Sequence, residues 1–228
     1  MNPVSRLVHN ALLPLRRPFL ARRVRRLVLE RSAGFDLVVL PDVLNPVVFR
    51  TGDALAKALA EVAEARPPSP GARALDMGTG TGIAGLALAR SGWRVVSVDV
   101  NPEAVRCARV NALLNRLEGS IEAREGDLFE PVRGELFELV VFNPPFFHGA
   151  PRDLHDVAWR SLDVWRRFVA DLPRFLAPSG VCLSLLSDHG DEAGMRKELE
   201  ATGLDVSIAS TADLGNERLT LYAARRGA

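Results

Sequence analysis

From Arg73 to the end of the chain, short apolar runs alternate with amphipathic stretches, and this alternation restricts the architecture more than any other feature. Segments 73–77, 94–98, 121–125, 137–142, 180–186, 205–211 and 218–224 read as strands, and 82–91, 102–116, 156–176 and 190–202 as helices. Intervening helices of this length permit crossover connections, which make neighbouring strands parallel. The pattern predicts an α/β fold with seven strands in a mostly parallel sheet and helices on both faces. In an open sheet of this kind, ligands bind beyond the carboxyl ends of the strands.

Upstream the pattern is less regular. Pro14 and Pro18 divide the first 35 residues into a short helical piece and a longer one over 19–32, with Leu20, Val24, Leu27 and Val28 on one stripe. Residues 1–35 hold eight Arg and one acid, Glu30, a net of +7, whereas the rest of the chain carries −6. This basic segment could contact RNA, an acidic protein or an anionic surface, or be the solvated face of a docked amphipathic helix. Phe35–Leu40 reads as a strand and Val47–Phe49 as its partner in a small lead-in hairpin, with Pro41 and Pro46 around the turn. A helix follows from Thr51 to Ala65, then the linker Pro67-Pro68-Ser69-Pro70-Gly71. The chain thus divides into a basic helical extension (1–35), a hairpin, helix and Pro-rich linker (36–70), and the main α/β domain (71–228).

A chain of 228 residues can bury a full core without a covalent staple. Cys107 and Cys182 lack metal-like spacing, and Cys182 lies in an apolar run, so two reduced thiols in a cytoplasmic setting are expected. No stretch reaches membrane-spanning length, no secretory signal follows the first arginines, and a cleaved leader is not expected.

The first strand of the alternating region runs into Asp76-Met77-Gly78-Thr79-Gly80-Thr81-Gly82. Alternating glycines let a loop adopt positive φ and let a ligand approach the backbone, and the following helix turns its free N–H groups toward that loop. Gly80, Gly82 and Gly85 also match G-x-G-x-x-G, so a nicotinamide dinucleotide is a second possible ligand. Asp99 ends the next strand, where a carboxylate can accept both hydroxyls of an adenosine ribose. Asn101, before Pro102, suits a helix cap and leaves Asp99 for the ligand; Val100 and Asn101 are counted with the cofactor segment. Asp127 closes the third strand: its side chain or neighbouring amides could receive an adenine edge, with Leu128 against the ring, or Gly126-Asp127 could be a plain turn.

The fourth strand, Leu139-Val140-Val141-Phe142, is stopped by Asn143-Pro144-Pro145-Phe146, because neither proline can donate to a ladder. A polar amide, two rigid residues and an aromatic ring at a strand end suit gripping a flat group that carries an N–H. His148, Arg152, Asp153 and His155 fall in the loop beyond, and Asp188-His189-Gly190-Asp191 at another strand end does not form a metal site. Trp93, Trp159 and Trp165 read as packing residues.

In this order, the glycine loop, Asp99, Asp127 and Asn143-Pro144-Pro145-Phe146 resemble class I S-adenosylmethionine-dependent methyltransferases of the N-P-P-[FY] branch, over residues 38–225. That branch includes HemK-type release-factor glutamine methyltransferases, methyltransferase small domain enzymes acting on ribosomal RNA, and adenine amino-methyltransferases. The resemblance implies a Rossmann-like fold, S-adenosylmethionine as cofactor, a protein or RNA substrate or a small molecule, and no membrane partner. It also makes 71–228 the catalytic domain. Asp76, Gly78, Thr79, Gly80, Thr81 and Gly82 would hold the methionine part, Asp99 the ribose, and Asp127 with Leu128 the adenine. Asn143 and the Pro144 carbonyl would accept the N–H groups of a planar nitrogen, beside Pro145, and Phe146 would stack on the substrate. The segment from Pro41 to Thr51 resembles the substrate-side entry strand of this branch, but Arg50-Thr51-Gly52 departs from the acidic pattern of the glutamine enzymes, and the N-terminal part is short for their helical substrate domain. The rival classes are a nicotinamide-dependent oxidoreductase and a non-catalytic RNA-binding module.

Overall fold

The computed structural model describes residues 26–153 and 156–227. The chain begins there with a hairpin, β1 (Val28–Ser32) and β2 (Phe35–Val39), in antiparallel register with Ser32 opposite Phe35. The helix expected over 19–32 is therefore corrected: its last residues form β1, and residues 19–25 lie outside those described. The reason is local. Ala33 and Gly34 both take positive φ, 49° and 80°, as a two-residue hairpin turn requires. The expected partner of Phe35–Leu40 is corrected too, because residues 46–49 form a single helical turn, α1 (Pro46–Phe49). Asn45 caps it, its Oδ1 accepting from the N–H groups of Val47 and Val48, and Pro46 needs no N–H in the first turn. Arg50, at φ 53°, then turns the chain into α2 (Thr51–Ala65).

The main sheet comprises β3 (Arg73–Met77), β4 (Arg94–Asp99), β5 (Ile121–Glu125), β6 (Phe137–Phe142), β9 (Leu176–Ser187), β10 (Leu204–Asp213) and β11 (Arg218–Arg226). Two-residue strands β7 (Phe147–His148) and β8 (Arg160–Ser161) pair separately. The seven-stranded order is β10-β11-β9-β6-β3-β4-β5, as expected mostly parallel, with β11 running against its neighbours. Helices α3 (Ile83–Arg90), α4 (Pro102–Leu114), α5 (Val164–Asp171) and α6 (Glu192–Glu200) connect the strands. The helix expected over 156–176 is interrupted, since Trp159–Ser161 turn aside to pair with β7 and Pro173 sits in a tighter turn after α5.

The sheet is covered on both faces. One core contains Phe129, Phe137, Phe142, Phe168 and Phe175, with the Phe129 ring stacked on Phe175 at 4.3 Å between centroids. The other joins Phe35 and Leu37 of the hairpin to Leu55, Leu59, Leu86 and Leu88. Chain order reverses between β3 and β6, which pair in parallel with Met77 opposite Phe142. That crevice is the topological switch point, and it places Gly78 and Asn143 at adjacent strand ends.

Candidate active site

A cleft of about 1060 Å³, counting the space open to solvent, lies over the switch point. Its lining includes Gly78, Thr79, Gly80 and Thr81 from the loop after β3, Asp99, Val100 and Asn101 after β4, and Asp127 and Leu128 after β5. Asn143 and Pro145 line it after β6. The four predicted strand ends thus meet in one place. Asp76, Gly82, Pro144 and Phe146 stand outside this lining.

Each of those four has a physical reason for its position. The Asp76 carboxylate is buried and accepts from the Thr79 hydroxyl at 2.5 Å, the Gly85 N–H at 3.1 Å and the Ser97 hydroxyl at 3.5 Å. It braces the loop from beneath, and burial pushes its carboxyl up to about 6. Gly82, at φ 82°, packs its Cα face on α4, where an added Cβ would come within 3.0 Å of the Ala108 Cα. Pro144 is buried. Phe146 is 9% exposed, and its backbone carbonyl abuts Gly190, so the ring expected to stack on a substrate is part of the core. Gly85 shows why a third glycine belongs in the motif: a Cβ there would lie 2.8 Å from the Ser97 hydroxyl.

Above the brace the loop is open. Gly80 has φ 54°, and nothing lies within 4 Å of where its Cβ would be. Asp99 accepts the Gly80 N–H at 2.9 Å with one oxygen and the Asn101 N–H at 2.9 Å with the other. Burial raises its carboxyl, against the pull of these amides. Each oxygen keeps a further lone pair for a hydroxyl donor. Asn101 caps α4 through the Glu103 N–H at 3.0 Å, as expected, and its Nδ2 donates to the Asp42 carbonyl at 2.8 Å. Asp127 is held in a two-pronged pair by Arg167 of α5, at 2.6 and 3.0 Å.

After β6, Asn143 Nδ2 lies 3.3 Å from Thr51 Oγ1, and Asn143 Oδ1 is buried without a hydrogen-bond partner. Buried polar atoms are nearly always paired, so an unpaired carbonyl oxygen in a cleft marks where a donor from a ligand belongs. The sequence pointed to the segment from Pro41 to Thr51 as a substrate-side strand, but not to the helical turn and side chains that line the cleft there. Leu44, Pro46 and Phe49 from α1 and its approach, with Val157, Ala158 and Val164, also line the cleft. Trp159 supports Phe49 edge-on, with centroids 4.5 Å apart and planes at 78°. The run Val47-Val48-Phe49 carried no sign of this, but Asn45-Pro46 is a cap signal from which the turn could have been read. Of the other candidates, His148 and Arg152 are exposed, and His155 lies outside the described residues. Asp188 and Asp191 accept backbone N–H groups of Arg218 and Gly194, and His189 Nε2 lies 2.8 Å from the Asn216 carbonyl. No helix among the described residues is long and apolar enough to cross a membrane.

Solved structures share this arrangement. A T. thermophilus 16S rRNA N2 G1207 methyltransferase, in complex with AdoMet and guanosine, matches with a TM-score of 0.67 at 25% identity, over 88% of this chain and 50% of that one. The E. cuniculi Mtq2–Trm112 complex, responsible for methylation of the eRF1 translation termination factor, matches with a TM-score of 0.61 at 23% identity, over 82% and 99%. The fold is that of the class I methyltransferases.

The sequence places the chain more narrowly. Residues 46–202 match the methyltransferase small domain family, to which this chain belongs. A putative protein N5-glutamine methyltransferase of Methanocaldococcus jannaschii is 32% identical over 67% of this chain and 80% of its own length. A release factor glutamine methyltransferase of Rhodospirillum rubrum is 33% identical over 92% of this chain and 68% of its own length. A ribosomal RNA small subunit methyltransferase C of Alcanivorax borkumensis is 40% identical, over 48% of this chain and only 30% of that enzyme.

Proposed function

We propose that the chain is an S-adenosylmethionine-dependent N-methyltransferase acting on a planar nitrogen of a macromolecule, with a protein glutamine amide as the first reading. The unpaired, buried Oδ1 of Asn143 in the cleft carries the assignment. It supplies an acceptor for an N–H at the switch point, opposite a glycine loop shaped for a ligand.

The residues present fit the cofactor. Open space at Gly80 admits a chain close to the backbone, Asp99 offers free lone pairs to ribose hydroxyls, and Leu128 and Val100 give apolar surface for adenine. When bound, S-adenosylmethionine supplies a methyl group activated by a sulfonium: the acceptor nitrogen's lone pair forms the C–N bond, the C–S pair returns to sulfur, and the nitrogen's surplus proton leaves to water. An amide or aromatic amine is a poor nucleophile, because its lone pair is delocalised. Asn143 Oδ1 holds the N–H and becomes a better partner as positive charge grows on the nitrogen, which favours the transition state over the ground state. Phe49 and Phe142, rather than Phe146, supply the cleft's aromatic surface. With Pro144 and Phe146 behind the lining, the grip rests on Asn143.

Glutamine is favoured because the relatives matched over most of both chains are named as glutamine methyltransferases. A ribosomal RNA base is the second reading, supported by the likeness to the enzyme solved with guanosine. The deciding experiment supplies methyl-labelled cofactor with a translation release factor and, separately, with small ribosomal subunits. Label in the release factor, removed by protease, supports the first reading. Label in the RNA supports the second. Failure of S-adenosylhomocysteine to bind, with NAD binding instead, would overturn both.

A further inference from the structure

Arg50 is absent from the cleft lining, although Phe49 before it and Thr51 after it both belong to that lining. We propose that Arg50 is a positioning residue for the acceptor: its guanidinium clamps the junction of α1 and α2, which carries Phe49 and Thr51, to the turn between β10 and β11. This rests on the reading of Asn143 as the nitrogen grip, since Thr51 Oγ1 lies 3.3 Å from Asn143 Nδ2 and so places the junction beside that residue.

The contacts of this clamp have one sense. Arg50 Nη2 donates to the Leu214 carbonyl at 3.0 Å and to Asn216 Oδ1 at 2.7 Å. A guanidinium has no acceptor atom and a carbonyl no donor, so neither bond can run the other way. A carboxylate at this position, in keeping with the acidic pattern of the glutamine enzymes, could not donate to that carbonyl.

The far side of the clamp is fixed in its own right. The Leu214 N–H donates to the Glu217 carbonyl at 2.8 Å, and the Gly215 N–H to Asp213 Oδ1 at 2.8 Å. His189 Nε2 lies 2.8 Å from the Asn216 carbonyl, and the Glu217 carboxylate accepts the Ser187 hydroxyl at the end of β9. Because β9 pairs with β6, the turn is braced on the neighbour of the strand that ends at Asn143. The near side bends sharply. Arg50 takes φ 53°, a conformation costly for a residue with a side chain and easy for glycine. Its N–H donates to the Pro46 carbonyl at 3.0 Å and its carbonyl accepts the Ala54 N–H at 2.9 Å, so one residue ends α1 and starts α2. At Gly52 a Cβ would come within 3.3 Å of Pro46 and 3.4 Å of Ile83, so the junction sits close against both. An arginine kept where the backbone favours glycine points to a use for its side chain, and the turn at Leu214 and Asn216 supplies that use.

The test uses the full chain carrying Arg50→Gly, Asn216→Ala or both, with Asn143→Ala as reference. Arg50→Gly removes the guanidinium while easing the backbone, so a residue that served only to make the bend would be replaced without harm. Methyl transfer is measured with labelled cofactor on a release factor and on small ribosomal subunits, alongside S-adenosylhomocysteine affinity. Arg50→Gly is expected to hold its melting temperature within about 3 °C, to lose about tenfold or more in kcat/KM for the acceptor, and to keep cofactor affinity within about threefold. Asn216→Ala should lose less, because the Leu214 carbonyl remains, and should add nothing in the Arg50→Gly background. Undiminished kcat/KM in Arg50→Gly, additive losses, a larger fall in melting temperature, or an equal fall in cofactor affinity would each overturn the proposal. Hydrogen exchange gives a readout that needs no acceptor. Residues 46–54 should exchange at least about threefold faster in both single variants, with 76–82 unchanged, although Asn216 lies 166 positions from Arg50. Unchanged exchange over 46–54 in Asn216→Ala also overturns the clamp. Full activity of Asn143→Ala would instead refute the reading of Asn143 as the grip and leave the exchange result standing, so the two failures are distinguished.

Discussion

Asn111 of α4 donates through Nδ2 to the Thr81 carbonyl at 2.8 Å and accepts the Val38 N–H through Oδ1 at 2.7 Å. One fully buried amide therefore ties the glycine loop to the hairpin strand, and a second bond to the Val38 carbonyl completes the link.

Removing that amide leaves the Val38 N–H and the Thr81 carbonyl without that partner, while the Val38 carbonyl keeps the Cys107 thiol at 3.0 Å. Asn111→Leu is expected to destabilise the fold by about 2–4 kcal/mol, read from the urea midpoint, and to weaken S-adenosylhomocysteine binding because Thr81 belongs to the cleft. Full stability in this variant would show that the tie is dispensable.

Asp99 links the two cofactor-side loops through Gly80 and Asn101. Asp99→Ala should weaken S-adenosylhomocysteine binding at least about tenfold by calorimetry, since it removes both a ligand acceptor and the loop's latch. Asp99→Asn should recover part of the loss only if ribose contacts dominate over the two backbone bonds.

Asp76 makes the stability of the free protein depend on pH in an unusual direction. Its carboxyl rises from 3.8 to about 6 on burial, so the folded state keeps a proton that the unfolded chain releases. The contribution is full below about pH 4 and is lost as pH climbs through about 6, on the order of 3 kcal/mol across that window. Unfolding curves of the parent and Asp76→Asn between pH 4 and pH 7 should differ in slope, with the variant flatter. Parallel curves would place the proton elsewhere.

Arg167 and Asp127 are both partly exposed, so their pair contributes little to folding. Arg167→Ala should leave the melting temperature within about 2 °C and raise the KM for cofactor several-fold, because Asp127 loses the group that orients it. A change confined to the melting temperature would count against a binding role.

Phe49 lines the cleft that Asn143 also lines, and is backed by Trp159. Phe49→Ala should raise the KM for the macromolecular acceptor by about tenfold while leaving S-adenosylhomocysteine affinity near the parent value. Equal weakening of both would show that the wall serves the cofactor instead.

The parallel sheet and the four strand-end motifs were legible in the sequence because each depends on short-range signals: apolar runs, glycine spacing, and a proline pair that stops β6. The hairpin of β1 and β2 was not, because arginines among Leu20, Val24 and Leu27 suggest a helical period, while Ala33-Gly34 is a weak turn signal on its own. The individual contacts of Arg167, Thr51 and Phe49 were invisible for another reason, although the segment ending at Thr51 read as a substrate-side strand. Each acts on a partner distant in sequence or in a separate element, such as Asn143 for Thr51, and no local pattern encodes a meeting made by the tertiary fold. Phe146 shows the converse: its motif places it at the site, but packing against Gly190 makes it core.

The reversal of strand order between β3 and β6 also has a consequence for biogenesis. The glycine loop, Asp99 and Asp127 all precede β6, so a ribosome delivers these three strand ends before Asn143. Asn143 can meet Gly78 only after β6 has paired with β3 across β4, α4 and β5, a contact of long sequence separation and slow closure. A nascent chain halted after β5 would carry those three strand ends without Asn143 beside them. Pairing of β6 with β3 is therefore the step that brings the proposed nitrogen grip to the glycine loop, and a chain halted before it has none.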